Sequence, residues 1–417
     1  MNSNREVVIT GVGVVSPIGI GNEDFWSSLT SGVSGVSVRE PFSNSDTAFR
    51  IAAPVRGFDP KQFVKPRKAI KIMCPPIQFG CAAAAMAVED AGIDRDLLDP
   101  ERTGTVFGTE TFFADPAEVA DVFRKCTVDK DYQHDRWGEF AIREIQPLWM
   151  LKYLPNMAAS HISIALNAQG PSNSICQGEV SGLLALIEAA DLIRRNAVDI
   201  VMTGGTGSQM ALTAMLCRGV GLLTKQVSDP EKASRPFDRS RDGMVVGEGS
   251  GALVLESAEH AKARGATPLA TLAGWCRSYR DSNGDDFQMA IGDNYRTALR
   301  SADLSPQSVD LINANASGSI LGDRAEANAI SHVFGPDTPV VAHKSNFGNV
   351  GPGTSIIELI GGVLSKKFGI CPATINCENV DPDFQINVQS KTTELKSDVI
   401  LKSSFSSTGQ IASVVLR

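Results

Sequence analysis

Three stretches of this chain hold the residues able to do chemistry. The first is Gly170-Pro171-Ser172-Asn173-Ser174-Ile175-Cys176-Gln177-Gly178-Glu179-Val180-Ser181-Gly182, where a thiol and a carboxylate stand three positions apart ahead of a helix-like run. The second is Asn313-Ala314-Asn315-Ala316-Ser317-Gly318-Ser319, followed by Gly322-Asp323. The third is His343-Lys344-Ser345-Asn346-Phe347-Gly348-Asn349. A carboxylate at a helix N-terminus is favoured as an anion by the helix dipole and the free N–H groups. Burial pushes it the other way, toward the neutral acid. Glu179 can therefore serve as a general base or a binding group, but a carboxylate cannot form a thioester. Asn315 and Asn349 can donate hydrogen bonds but cannot carry a proton near pH 7. Cys176 lies on the segment entering the turn, away from the helix N-terminus that would activate a thiolate, and is expected to be a buried thiol. His161 and His343 flank these stretches and are expected to be core or rim histidines, with a catalytic role for His343 left open.

These residues need a scaffold, and the chain is long enough to supply one. Its 417 residues suit two domains or one large duplicated α/β unit. Apolar residues make up 42% and charged residues 21%, as in an ordinary globular protein. No run of eighteen apolar residues marks a membrane span. The start, Met1 to Glu6, lacks the pattern of a secretion signal and passes into Val7-Val8-Ile9. Eight cysteines are scattered without paired or metal-type spacing, so most are expected to be core thiols in a reducing, cytoplasmic setting. No metal or cofactor is expected. A net charge of −8 argues against non-specific nucleic-acid binding. Gly204-Gly205 and Gly247-Glu248-Gly249 lack the context of phosphate loops and read as tight turns.

Residues 5–13 read as a first buried strand turning at Gly11-Val12-Gly13. A helix capped by Asn22-Glu23-Asp24 runs to about Thr30. Ala82 to Ala91 reads as an alanine-rich helix ended by Gly92. Strands are expected at Thr103–Gly108, Val198–Thr203 and Gly251–Leu255. The span Glu179 to Arg195 reads as a helix with Val180, Leu183, Leu184, Ile187 and Leu192 on one broad face. After residue 265, strands are expected near 268–274, 309–313, 339–343 and 410–416, with helices near 323–333 and 355–367. Strands alternating with helices predict parallel sheets covered on both faces. A division near residue 260 separates an N-terminal half, 1–260, from a C-terminal half, 261–417, without a visible sequence repeat.

The motifs, in this order, resemble those of β-ketoacyl-ACP synthases of the type II kind, and the likeness covers nearly the whole chain. Val7 to Gly19 is similar to that family's opening strand and turn. Asn156-Met157-Ala158-Ala159 is similar to its N-M-x-A segment. Ser234-Arg235-Pro236-Phe237-Asp238, Arg241-Asp242-Gly243 and Gly247-Glu248-Gly249 resemble S-R-P-[FW]-D…R-D-G-F-V-x-G-[ED]-G. The resemblance implies an α/β thiolase fold of five layers, α-β-α-β-α, built from two similar halves. It also implies a dimer and an acyl carrier protein as partner, delivering chains on a phosphopantetheine arm. Lys65, Arg67, Lys68 and Lys71 form either a patch for such an acidic carrier or plain solvated surface.

By the same resemblance, Glu179 stands where the family has its nucleophilic cysteine, and Asn315 and Asn349 stand where it has two histidines. Lys344 and Glu358 keep a supporting ion pair. Ser317 and Ser319 fall on substrate-binding positions, and Ser407 falls on the phenylalanine that gates the C-terminal loop. Condensation needs the thiolate, the imidazoles and an oxyanion hole together. Losing one member of such a set costs about 10⁴–10⁶ in rate. Ordinary condensing activity is therefore expected to be absent. One expectation is an inert site in which Glu179 fills the oxyanion hole and is held by the amides of Asn315 and Asn349. In that case the chain is similar in role to chain-length factors, as a homodimer or as a heterodimer with an active ketosynthase. The alternative is an acyl-processing enzyme (decarboxylase, hydrolase or acyltransferase) using Glu179 as general base. A third reading is an acyl-binding or scaffold homodimer.

Overall fold

The computed structural model describes residues 5–40, 48–282, 286–395 and 399–417, so residues 1–4 of the start lie outside it. In the first half the strands are β1 (Val7–Ser16), β2 (Thr103–Gly108), β3 (Ser172–Ile175), β4 (Ile200–Ser208) and β5 (Glu248–Ser257), and the main helices are α1 (Pro75–Asp90), α2 (Met157–Leu166) and α3 (Ser181–Arg194). The second half repeats the scheme with β6 (Ala270–Tyr279), β7 (Leu311–Asn313), β8 (Pro339–Val341), β9 (Ile400–Phe405) and β10 (Gln410–Leu416), and with α4 (Phe287–Ser301), α5 (Ile320–Phe334) and α6 (Thr354–Phe368).

Sheet order exposes a duplication that the residues conceal. The first half runs β1-β5-β4-β2-β3 and the second β6-β10-β9-β7-β8. In each, the first two contacts are antiparallel and the last two parallel. The two sheets join through β1 and β6, where Val8 faces Thr271 and Ile9 faces Ala270. The sheets are therefore mixed, not parallel as expected. A strand buried on both faces carries no periodic sign of its neighbour's direction, which is why the sequence misled here.

Burial sorts the helices into layers. On one outer face, Ala83 and Ala87 of α1 and Ile162 of α2 pack with Phe107, Met202 and Val254. Between the sheets lie α3 and α6, where Leu183, Leu186, Ile187, Ile356 and Ile360 meet Val12, Leu255, Ile400 and Val414. On the far face, Ile291 and Tyr295 of α4 and Ile330 of α5 pack with Leu401, Ile411 and Val415. The result is α1/α2, sheet, α3/α6, sheet, α4/α5, the five layers expected. Each buried Leu or Ile contributes about 1.5–3 kcal/mol.

Several local expectations shift. Residues Gly11 and Gly13 do not turn the chain; β1 runs through them with an irregular register between Ile9 and Gly11. They are glycines because α1 lies against the strand: a Cβ at either position would run into the carbonyl oxygens of Ala87 or Ala83. Helix α1 begins at Pro75, seven residues before Ala82, with Pro75 and Pro76 in the first turn where missing N–H groups cost nothing.

Candidate functional site

The turn before α3 is held by its own hydroxyl. Ser181 Oγ accepts from the Gln177 N–H at 2.7 Å and donates to the Gly178 carbonyl at 2.6 Å. Gly178 takes φ 68°, a conformation that suits glycine. Gly182 must also be glycine, because a Cβ there would stand 2.5 Å from the Pro352 carbonyl oxygen. Helix α3 starts at Ser181 with Val180 as its N-cap residue, so Glu179 precedes the helix by two residues and does not begin it, as had been expected. Glu179 is half-buried.

Asn315 follows β7 and enters a buried charge cluster. Its N–H donates to Glu326 Oε1 at 2.8 Å, and its side-chain oxygen accepts from Lys344 Nζ and Ser404 Oγ, each at 3.3 Å. Its amide N–H₂ reaches the Phe405 carbonyl at 3.4 Å. Lys344 Nζ also donates to the Asn315 carbonyl at 2.5 Å and to both Glu358 oxygens, at 3.1 and 3.2 Å. A second lysine, Lys402 of β9, donates to Glu358 Oε2 at 2.7 Å and to the Ala314 carbonyl at 3.1 Å. Burial alone would raise the Glu358 pKa, but the two lysine charges and their hydrogen bonds outweigh it and hold the carboxylate low. Burial pushes Lys402 down to about 8, helped by the Lys344 charge and opposed by Glu358. Burial raises the pKa of Glu326, whose Oε1 also accepts from Ser403 Oγ at 2.6 Å.

Asn349 has a structural occupation. Its side-chain oxygen accepts from the Gly351 N–H at 2.9 Å and from Thr354 Oγ1 at 3.2 Å, pinning the turn into α6. Its amide N–H₂ points to Met244 Sδ at 3.2 Å. The expected grip of Asn315 and Asn349 on Glu179 is therefore absent: both amides are spent elsewhere, and among the described residues the Glu179 carboxylate accepts no hydrogen bond. The three loops nevertheless converge on the start of α3. Ser406, two residues beyond the Ser404 that bonds Asn315, lies beside Gly178, and Pro352 lies against Gly182.

The remaining predicted residues divide. Ser317 is half-buried, its N–H tied to Asp323 Oδ1 at 3.0 Å. Ser319 Oγ is engaged as the N-cap of α5, accepting from the Gly322 N–H at 3.2 Å. Ser407 is exposed, and its carbonyl accepts from Ser282 Oγ. Cys176 contradicts its reading as a core thiol: it is exposed, 3.2 Å from Thr109 Oγ1, because β3 is an edge strand whose end faces solvent. His343 is fully buried, neither ring nitrogen has a partner among the described residues, and burial pushes it down to about 4. It packs against Gly361 of α6, sealed from solvent, as a core histidine does. His161 sits half-buried on α2, its pKa lowered by burial. Lys65, Arg67, Lys68 and Lys71 are all exposed.

Sequence reasoning missed Lys402, Glu326, Ser404, Gln177 and Gln410. A lysine inside the apolar strand Ile400-Leu401-Lys402 was a legible signal, because a charge on a doubly covered strand needs a buried partner. A cleft of about 310 Å³ lies elsewhere, lined by Met73, Phe112, Phe113, Tyr153, Ser208 and Glu248 among others and by none of the predicted site residues. Among the described residues no cluster is placed to hold a metal ion, and no helix is long and apolar enough to cross a membrane.

Residues 4–261 match the family model for the beta-ketoacyl synthase N-terminal domain, and residues 274–378 match that for its C-terminal domain. The chain belongs to the β-ketoacyl synthase family. Its five layers are the thiolase-like fold of that family. Among characterised ketosynthases, it is 34% identical to 3-oxoacyl-[acyl-carrier-protein] synthase 2 of Coxiella burnetii, over 99% of this chain and 98% of that protein. The solved ishigamide ketosynthase/chain length factor superposes with a TM-score of 0.86 at 28% identity, over 99% of both chains. A type II polyketide ketosynthase solved with its acyl carrier protein and bound to the hexaketide, AntDE:AntF, gives the same score and identity over the whole of both chains.

Proposed function

We propose that this chain is a non-condensing ketosynthase homologue, similar in role to chain-length factors, which binds an acyl-phosphopantetheine chain without forming a thioester to it. The observation that carries this is the turn itself. By the motif resemblance Glu179 stands at the nucleophile position, the thiol Cys176 three residues before it is engaged by Thr109, and the amides of Asn315 and Asn349 hold backbone and cluster groups. His343, the histidine nearest the motif, does not replace them, since it is sealed in the core. In this proposal Lys344 and Glu358 hold the Asn315 loop, while Ser317, Ser319 and Ser407 border the bound arm. The protein works in fatty acid or polyketide biosynthesis in the cytoplasm, as a homodimer or as a heterodimer with an active ketosynthase. Its two halves divide near residue 260. The ketosynthase partner and the carrier protein in the solved neighbours support this assembly.

The test is incubation with acyl-ACP and malonyl-ACP. Intact-protein mass spectrometry is expected to show no acyl adduct, and chromatography no β-ketoacyl product. An acyl thioester on Cys176 would overturn the reading.

One observation favours a second reading, in which Glu179 is a general base for decarboxylation, hydrolysis or acyl transfer: its carboxylate is half-exposed and unpartnered among the described residues. Turnover by the wild type over a panel of acyl-ACP and acyl-CoA substrates, reduced about 10²–10⁴-fold by Glu179→Gln with binding retained, would promote this reading over the first.

A further inference from the structure

The position of Glu179 is framed by two segments from opposite halves of the chain. One is the turn Gln177 to Ser181; the other is the tight connection from Phe405 to Gln410 between β9 and β10. Their backbones run close, because a Cβ added to Gly178 would meet Ser406 Cβ at 3.5 Å. Among the described residues, one side-chain hydrogen bond joins them: Gln410 Nε2 donates to Gln177 Oε1 at 2.9 Å. Gln410 Oε1 already accepts from Ser406 Oγ and Thr408 Oγ1, both at 2.6 Å. The oxygen end of the amide is thus taken by its own connection, and the N–H₂ end is left to face Gln177. Gln177 is braced in turn, since its backbone N–H donates to Ser181 Oγ.

We propose that Gln410 is a positioning residue. Its amide clasps the C-terminal connection to the turn that carries Glu179 and sets the width of the opening between the two halves. It acts through the turn and makes no contact with the Glu179 carboxylate. A chain passing between these segments must break this bond first. The bond is exposed, so water can take its place when the segments part. The inference does not depend on which chemistry, if any, Glu179 performs.

Amide hydrogen exchange on the full-length protein tests it, with wild type, Gln177→Ala, Gln177→Glu, Gln410→Ala and the double alanine variant. Gln177→Ala leaves the bonds among Ser406, Thr408 and Gln410 intact and is the cleaner cut. Losing one exposed hydrogen bond corresponds to an opening shift of about fivefold. Peptides covering 176–181 and 405–410 are both expected to exchange about fivefold faster in Gln177→Ala, while α1 is unchanged. Gln177→Glu still offers an acceptor to Gln410 Nε2 and is expected to keep wild-type protection. The double variant is expected to exchange no faster than Gln410→Ala. Faster exchange confined to the mutated segment, additive effects in the double variant, or a Gln177→Glu protein as labile as the alanine variant would each overturn the proposal. Should Gln410→Ala fail to fold, the two Gln177 variants decide the matter alone.

Discussion

Replacing His343 with leucine should stabilise this protein, and more so in acid. The imidazole is fully buried and, among the described residues, neither nitrogen has a hydrogen-bond partner. An unsatisfied buried polar group costs about 1–3 kcal/mol, so His343→Leu, of similar volume, should gain about 1–2 kcal/mol at pH 7.5. The second part follows from titration. The folded state holds the ring neutral, with its pKa pushed down to about 4 by burial. In the unfolded chain it titrates near 6.5, so between these values the unfolded state binds the extra proton and folding stability falls as the pH falls. At pH 5 the environment is about 1.5 units below the unfolded value, which at about 1.36 kcal/mol per unit is a loss of about 2 kcal/mol. Leucine cannot suffer this loss. The measurement is urea denaturation of both proteins at pH 7.5 and pH 5, at matched protein concentration. The gap between them should widen by about 2 kcal/mol in acid. An equal gap at both pH values would refute the reasoning, because it would mean that the ring is neither sealed nor held neutral.

Other outcomes follow from the same geometry. Lys402→Met should stay within about 1 kcal/mol of wild type at pH 7, because Glu358 keeps Lys344 and a buried cation is removed. Between pH 8 and 10.5 the unfolded chain retains a proton that folded Lys402 has lost, so wild type should gain about 2 kcal/mol on the variant by pH 9.5; urea midpoints at both pH values check this, and a loss above about 3 kcal/mol at pH 7 would contradict it. Gly182→Ala should cost about 2–3 kcal/mol, because its Cβ meets the Pro352 carbonyl, Ile356 and Ser355 at once; an unchanged melting temperature would show that the helices part easily. Glu179→Gln should change stability by less than about 0.5 kcal/mol, since its carboxylate bonds to no described residue; a large loss in thermal denaturation would reveal a hidden partner.

How far the sequence spoke depended on the kind of constraint. Thr103–Gly108 and Gln410–Leu416 were legible to the residue, because short runs holding Thr, Val, Ile and Phe between turn residues leave little choice. The motif loops named Asn315, Lys344 and Glu358, and the structure does bring these three together. Strand direction was not legible, since β1 and β5 are buried on both faces and carry no alternation. The glycines of β1 read as a turn because the helix that forbids their side chains lies some seventy residues away in the chain. Cys176 read as a core thiol because sequence does not reveal that β3 is an edge. The plug expectation failed on competition: the N–H₂ of Asn349 faces Met244 Sδ and that of Asn315 faces the Phe405 carbonyl, so neither donor is turned to Glu179.

The pairing of β1 with β5 also sets a schedule for synthesis. Val7 faces Ser257 and Val15 faces Ser250, so β1 waits for about 250 further residues before its long neighbour β5 exists. At about 5–20 residues per second that wait is roughly 12–50 s on the ribosome. Every residue of β1 is buried in the finished protein, and among the described residues the strand has through the interval just its end paired, where Val15 faces Ile20 and Ser16 faces Gly19. Contacts this distant in sequence make folding slow as well. The nascent chain therefore needs shielding at its N-terminus until residue 257 has emerged, and a cell short of chaperones should lose this protein to aggregation before its mature stability is ever tested.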